Sequence, residues 1–121
     1  MTPDHTAPPS PLDVVLAFNE AWNARDLEAV LALTSDDCTF ESARPGVHGA
    51  RVEGRAALRE AWGPGFARGS GGLEVEDAFV AGDRVVQLWR TGEGHDAVRG
   101  VDVLRVRDGA ITEKLGYVKV R

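Results

Sequence analysis

Asp108-Gly109 stands between two runs of alternating residues, Arg99 to Arg107 and Ala110 to Lys119, and it restricts the fold more than any other feature of the chain. A two-residue hairpin loop needs positive φ at both turn positions, which Asp and Gly adopt at low cost. The two runs are therefore predicted to pair as antiparallel strands. Closing the turn on these residues sets Arg107 opposite Ala110, Leu104 opposite Glu113, Asp102 opposite Leu115 and Gly100 opposite Tyr117. Side chains alternate across a strand. One face then carries Gly100, Asp102, Leu104, Val106, Ile111, Glu113, Leu115 and Tyr117. The other carries Arg99, Val101, Val103, Arg105, Thr112, Lys114 and Val118, as a solvated or subunit-contact surface would.

On the first face only Asp102, Glu113 and Tyr117 break the apolar pattern. Asp102 is a diagonal neighbour of both others, within roughly 7–8 Å. Two carboxyls crowded on an apolar face favour sharing a proton, the route by which a carboxyl becomes a general acid or base near neutrality. Asp102, Glu113 and Tyr117 are the expected catalytic residues, with Leu104 and Leu115 beside them as ligand contacts.

The preceding chain supplies what this hairpin packs against. Residues 1–11 hold four of the six prolines and read as a disordered lead-in, so a single domain is expected over 12–121. Val15, Phe18 and Trp22 have helical spacing from Leu12 onward. Asp26 can cap a second helix with Leu27, Val30 and Leu31 inward, which Ser35-Asp36-Asp37 ends. Cys38 to Ser42 reads as a strand and Ala43 to Glu53 as a loop. Arg55 to Trp62 reads as a third helix closed by Gly63-Pro64-Gly65. Strands are predicted at 73–80, 84–91, 97–106 and 110–120. Three helices before an antiparallel meander make an α+β domain.

Composition excludes several classes. A formal charge of −5 argues against nucleic acid as the main partner. No apolar run is long enough to span a membrane, the N-terminus lacks a signal pattern, and a cytoplasmic location is expected. The single cysteine, Cys38, cannot form an internal disulfide. No metal-ligand spacing occurs, so no metal and no cofactor are expected.

Phe18-Asn19-Glu20-Ala21-Trp22-Asn23-Ala24-Arg25-Asp26-Leu27, Ser35 to Glu41, Gly54 to Arg59 and the hairpin from Arg99 to Lys119 resemble the nuclear transport factor 2-like superfamily, in its SnoaL-like polyketide cyclase and ketosteroid isomerase-like branch. The resemblance covers residues 12–120. It implies a cone, three helices on a curved, mainly antiparallel sheet around an apolar pocket, and commonly a homodimer. Ketosteroid isomerases of this superfamily use a tyrosine where this chain has Phe18, an aspartate where it has Ser42, and a protonated aspartate that corresponds to Asp102. Loss of the first two weakens steroid isomerisation by that route. Limonene-type epoxide hydrolases bridge two aspartates with a pocket arginine, but the strand parity turns Arg99 and Arg105 outward.

Within such a cone Phe18, Trp22 and Phe40 are expected against a ligand, with Ser42 at the end of the first strand. His48 is placed to swing over the pocket and Trp62 to stand at its mouth. Trp89 shares a face with Gln87 whose direction the sequence leaves open. The expected function is a cofactor-free acid/base enzyme, an isomerase, cyclase or dehydratase (lyase) type, acting on a small, mostly apolar carbonyl, polyketide- or terpenoid-like molecule. Alternatives from the same fold are a non-catalytic ligand-binding or dimerisation domain, an epoxide hydrolase-like enzyme, and an interaction module whose tryptophans fill the cone.

Overall fold

The computed structural model describes residues 9–44, 46–47, 49–68, 72–92, 94 and 97–119. Helix α1 spans Pro11–Asn23, and Ser10 caps it, its Oγ accepting from the Asp13 amide at 3.2 Å. Pro11 occupies the first helical turn, where no amide is needed. The helix ends at a left-handed Arg25 (φ 59°). The Arg25 amide donates to the Trp22 carbonyl and the Asp26 amide to the Ala21 carbonyl, satisfying the last carbonyls of the helix. Asp26 then caps α2 (Leu27–Ala32) by accepting from the Ala29 amide.

Strand β1 runs Thr34–Glu41, and Ser35-Asp36-Asp37 therefore belongs to a strand, where a helix stop was expected. The segment predicted as a loop contains a short β2, Arg51–Glu53, which pairs antiparallel with β1. Helix α3, Arg55–Arg68, continues through Gly63-Pro64-Gly65. An interior proline costs about 3 kcal/mol. Phe66, two residues beyond Pro64, is buried with its ring 4.8 Å from that of Trp22, and this packing repays the extension. Strands β3 (Glu74–Ala81), β4 (Arg84–Thr91), β5 (Val98–Arg107) and β6 (Ala110–Val118) form the meander.

The six strands lie in the order β2-β1-β6-β5-β4-β3, antiparallel except where β1 runs parallel to β6. The helices cover one face of this curved, unclosed sheet, which gives the α+β cone. Val14, Val15 and Phe18 of α1, Val30 and Leu31 of α2, and Leu58 and Trp62 of α3 pack there against Cys38, Val85, Leu104, Val106 and Ile111. None of the described helices is long and apolar enough to cross a membrane.

Asp108 (φ 51°) and Gly109 (φ 77°) make the expected tight turn, and Arg107↔Ala110 and Val106↔Ile111 pair as predicted. The next pair is Arg105↔Glu113. Thr112 is an extra residue in β6, a β-bulge, and every later pairing slips by one: Leu104↔Lys114, Asp102↔Gly116, Val101↔Tyr117. A one-residue slip turns each following side chain to the other face. Glu113, Leu115 and Tyr117, expected inside, therefore stand on the outer face, with Tyr117 56% exposed. Lys114, expected outside, is 8% exposed.

Candidate functional site: an aromatic cavity with a buried polar chain

Between α1, α3 and the inner face of the sheet lies a cavity of about 390 Å³, within the size range of small-molecule sites. Helical spacing along α1 turns Phe18, Trp22 and the intervening Asn19 toward it. Trp62 and Phe66, four residues apart on α3, close the opposite side. Phe18, Trp22, Phe40, Trp62 and Phe66 form a connected cluster with ring centroids 4.8–6.0 Å apart, mostly edge to face. Trp89 of β4 completes the wall, and the direction of its face, open from sequence, is inward. Its ring packs directly against Gly100 of β5, where the missing side chain leaves room. A Cβ there would stand 2.3 Å from Trp89 Cζ2 and 2.4 Å from the Tyr117 carbonyl oxygen.

A polar chain crosses this apolar surface. Asn19 Nδ2 donates to Gln87 Oε1 at 2.7 Å, and Gln87 Nε2 donates to Asp102 Oδ2 at 3.1 Å. Lys114 Nζ lies 3.6 Å from the same carboxylate oxygen. All four residues are buried and line the cavity. The ammonium also sits 5.4 Å from the Trp22 ring centroid and 5.1 Å from that of Phe40, on rings whose faces attract a cation. Asp102 Oδ1 has no hydrogen-bond partner among the described residues. The carboxylate is thus oriented through one oxygen and open at the other. The indole N–H groups of Trp62 and Trp89 likewise have no partner among the described residues; enclosed donors of this kind are uncommon.

Of the residues expected at the site, Phe18, Trp22, Phe40, Trp62, Trp89 and Asp102 line the cavity. The others do not gather there. Ser42 turns its Oγ to the Ala50 amide at 2.9 Å, so it caps the loop after β1. Leu104 is fully buried in the core beneath the cavity. Glu113, Leu115 and Tyr117 are carried outward by the bulge. His48 lies outside the described residues. Sequence reasoning missed Asn19, Gln87 and Lys114. Gln87 was visible as a polar residue sharing a strand face with Trp89, and Asn19 as the neighbour of Phe18; Lys114 left no signal, because its placement depends on the bulge.

Cys38 lies in the core beside this site, outside the cavity lining. Burial pushes its thiol up to about 12, the charge of Asp37 adding to the effect, so it stays protonated and is not a nucleophile.

Comparison with known proteins agrees with this architecture. Residues 15–114 match the family model of the SnoaL-like domain. A nuclear transport factor 2-like protein of unknown function from Mesorhizobium loti is 33% identical, with 98% of each chain covered and a TM-score of 0.81. A Mycobacterium tuberculosis protein in complex with estradiol-17β-hemisuccinate is 26% identical over 93% of this chain and 96% of its own, at a TM-score of 0.78. A computationally designed 17-OHP binder is 26% identical over 92% of both chains, at 0.76. No curated protein matches the sequence. With most of its length matched by the family model, the chain belongs to the SnoaL-like family of the nuclear transport factor 2-like superfamily.

Proposed function

We propose that the cavity binds a small, mostly apolar molecule with a carbonyl oxygen and moves a proton on it. The observation that carries this reading is the chain Asn19–Gln87–Asp102–Lys114, which sets one carboxylate and one ammonium side by side in an aromatic wall. Asp102 Oδ1 takes a proton from the carbon next to the carbonyl. The electron pair left behind moves onto the carbonyl oxygen, where the Lys114 ammonium stabilises the enolate. Return of the proton to a different carbon is isomerisation; attack of the enolate carbon on a second carbonyl is cyclisation. Gln87 and Asn19 hold the carboxylate and do not exchange protons. The similar proteins that hold or were designed to hold steroid-sized molecules support the ligand class.

The test uses 2-tetralone, an apolar ketone, in D₂O. Wild-type protein is expected to accelerate deuterium incorporation next to the carbonyl, followed by NMR, and Asp102→Asn to abolish the acceleration while the ketone still binds. Binding without exchange in the wild type would refute catalysis and favour the second reading, a ligand-binding domain. That reading draws on the fully engaged Oδ2 of Asp102, which a purely structural pair would also show.

A homodimer belongs to the same proposal. The outer face of the sheet presents Phe79, Val86, Leu88, Val101, Val103, Leu115 and Tyr117, with Phe79 and Tyr117 half exposed and no described element of the chain covering them. A second copy docked sheet to sheet would bury this patch. Light scattering of wild type and Tyr117→Lys distinguishes the states: a monomeric wild type refutes the dimer.

A further inference from the structure

We propose that the rim of the cavity carries an anion-recognition position built on Arg25, so that the ligand joins an apolar body to a terminal carboxylate or a comparable anionic group. This rests on the cavity being a ligand site, as argued above.

Arg25 lines the cavity and is half-buried. Its guanidinium carbon lies 5.8 Å from the centroid of Phe66, whose ring packs on Trp22, so the charge rests on the edge of the aromatic wall. Its backbone is left-handed, at the position after α1 where the helix-closing hydrogen bonds demand positive φ. Glycine occupies such positions without penalty, and arginine does not. Strained residues of this kind concentrate where a side chain is needed for binding. At the deep end, by contrast, Lys114 faces Asp102, so the polar group of the ligand met there is a neutral oxygen. The two ends of the cavity thus select different chemistry. A planar guanidinium binds a carboxylate through paired hydrogen bonds, and a half-buried one does so with less screening than a surface charge.

The experiment compares 4-(2-naphthyl)butanoate with its methyl ester, titrated by calorimetry into the full chain in 50 mM and 500 mM NaCl. The wild type is expected to bind the acid about threefold to tenfold more tightly than the ester at low salt, the gain of one partly screened charge contact. The preference should shrink at high salt. Arg25→Gly and Arg25→Gln should bind both probes with the affinity of the ester. Urea unfolding of both variants is followed alongside, and a lost preference in a variant that is folded in the titration buffer cannot be read as unfolding. Equal binding of acid and ester by the wild type, or a preference that survives in both variants, overturns the anion position while leaving the cavity reading intact. Failure of both probes to bind the wild type overturns the cavity reading and this inference with it.

Discussion

Replacing Lys114 with Met tests whether the polar chain is an interdependent unit. Lys114 and Asp102 are 8% and 3% exposed, and the ammonium is the only cation that the structure sets against that carboxylate among the described residues. Met retains the length and the contact with Trp22 and Phe40 that sulfur makes well with aromatic rings, so the change removes charge more than packing. What remains is a buried carboxylate held by the Gln87 amide alone. Removing one partner of a buried pair costs about 3–5 kcal/mol, whereas replacing both by apolar groups is near neutral or stabilising. Against a total of about 5–15 kcal/mol for a domain, the single change should be plainly visible. Asp102→Leu should cost a similar amount by stranding the ammonium. The double variant, Asp102→Leu with Lys114→Met, should recover most of the loss. Urea unfolding, followed by tryptophan fluorescence and circular dichroism, measures all four corners of the cycle. Losses that add to within about 0.5 kcal/mol would show two independent residues and refute the reasoning.

Three further outcomes follow from the geometry. Gly100→Ala should cost about 1–3 kcal/mol by overpacking, and Trp89→Phe should not rescue it, because the Tyr117 carbonyl, 2.4 Å from the added Cβ, stays in place; chemical denaturation reads both. Glu113→Gln and Tyr117→Phe should leave probe affinity within about twofold, since neither side chain faces the cavity; a larger loss in calorimetry would contradict the assigned strand faces. The Cys38 thiol, held at about 12, favours the folded state less and less as the unfolded thiol ionises above its ordinary value of 9.0. Its contribution is intact below that value and falls with rising pH toward 12, by at most about 1.4 kcal/mol per pH unit. Cys38→Ala should lack this alkaline decline in pH-dependent unfolding, and an identical slope in both proteins would disprove it.

Much of the fold was legible because local signals and packing agree. Val15, Phe18 and Trp22 on α1, Asp26 before α2, and the Asp108-Gly109 turn each did in the structure what their spacing and backbone preferences require. The misses share a physical cause, which is that contacts distant in sequence overrode a local preference. Ser35-Asp36-Asp37 is a poor strand sequence, carried through by the pairings on either side of it, Thr34 with Ile111 and Thr39 with Glu113 of β6. Gly63-Pro64-Gly65 stays helical because Phe66 reaches Trp22 on another helix. At the site, the aromatic wall and Asp102 could be read from periodicity. Their partner could not, because no local pattern announces the bulge at Thr112, and Glu113 and Lys114 are equally good strand neighbours by composition.

That bulge also bears on how such a site changes over generations. Loss of the one codon for Thr112 would straighten β6 and leave Arg105 opposite Glu113 and Leu104 opposite Lys114, so Lys114 would still face the cavity. What decides the reagents is where the extra residue is absorbed. Pairing Thr112 with Arg105 would turn Glu113 and Tyr117 inward and Lys114 outward, and the cavity would then hold two carboxylates and a phenol. A lineage built on this hairpin can therefore gain or lose a residue beside the turn and keep the chemistry of its cavity.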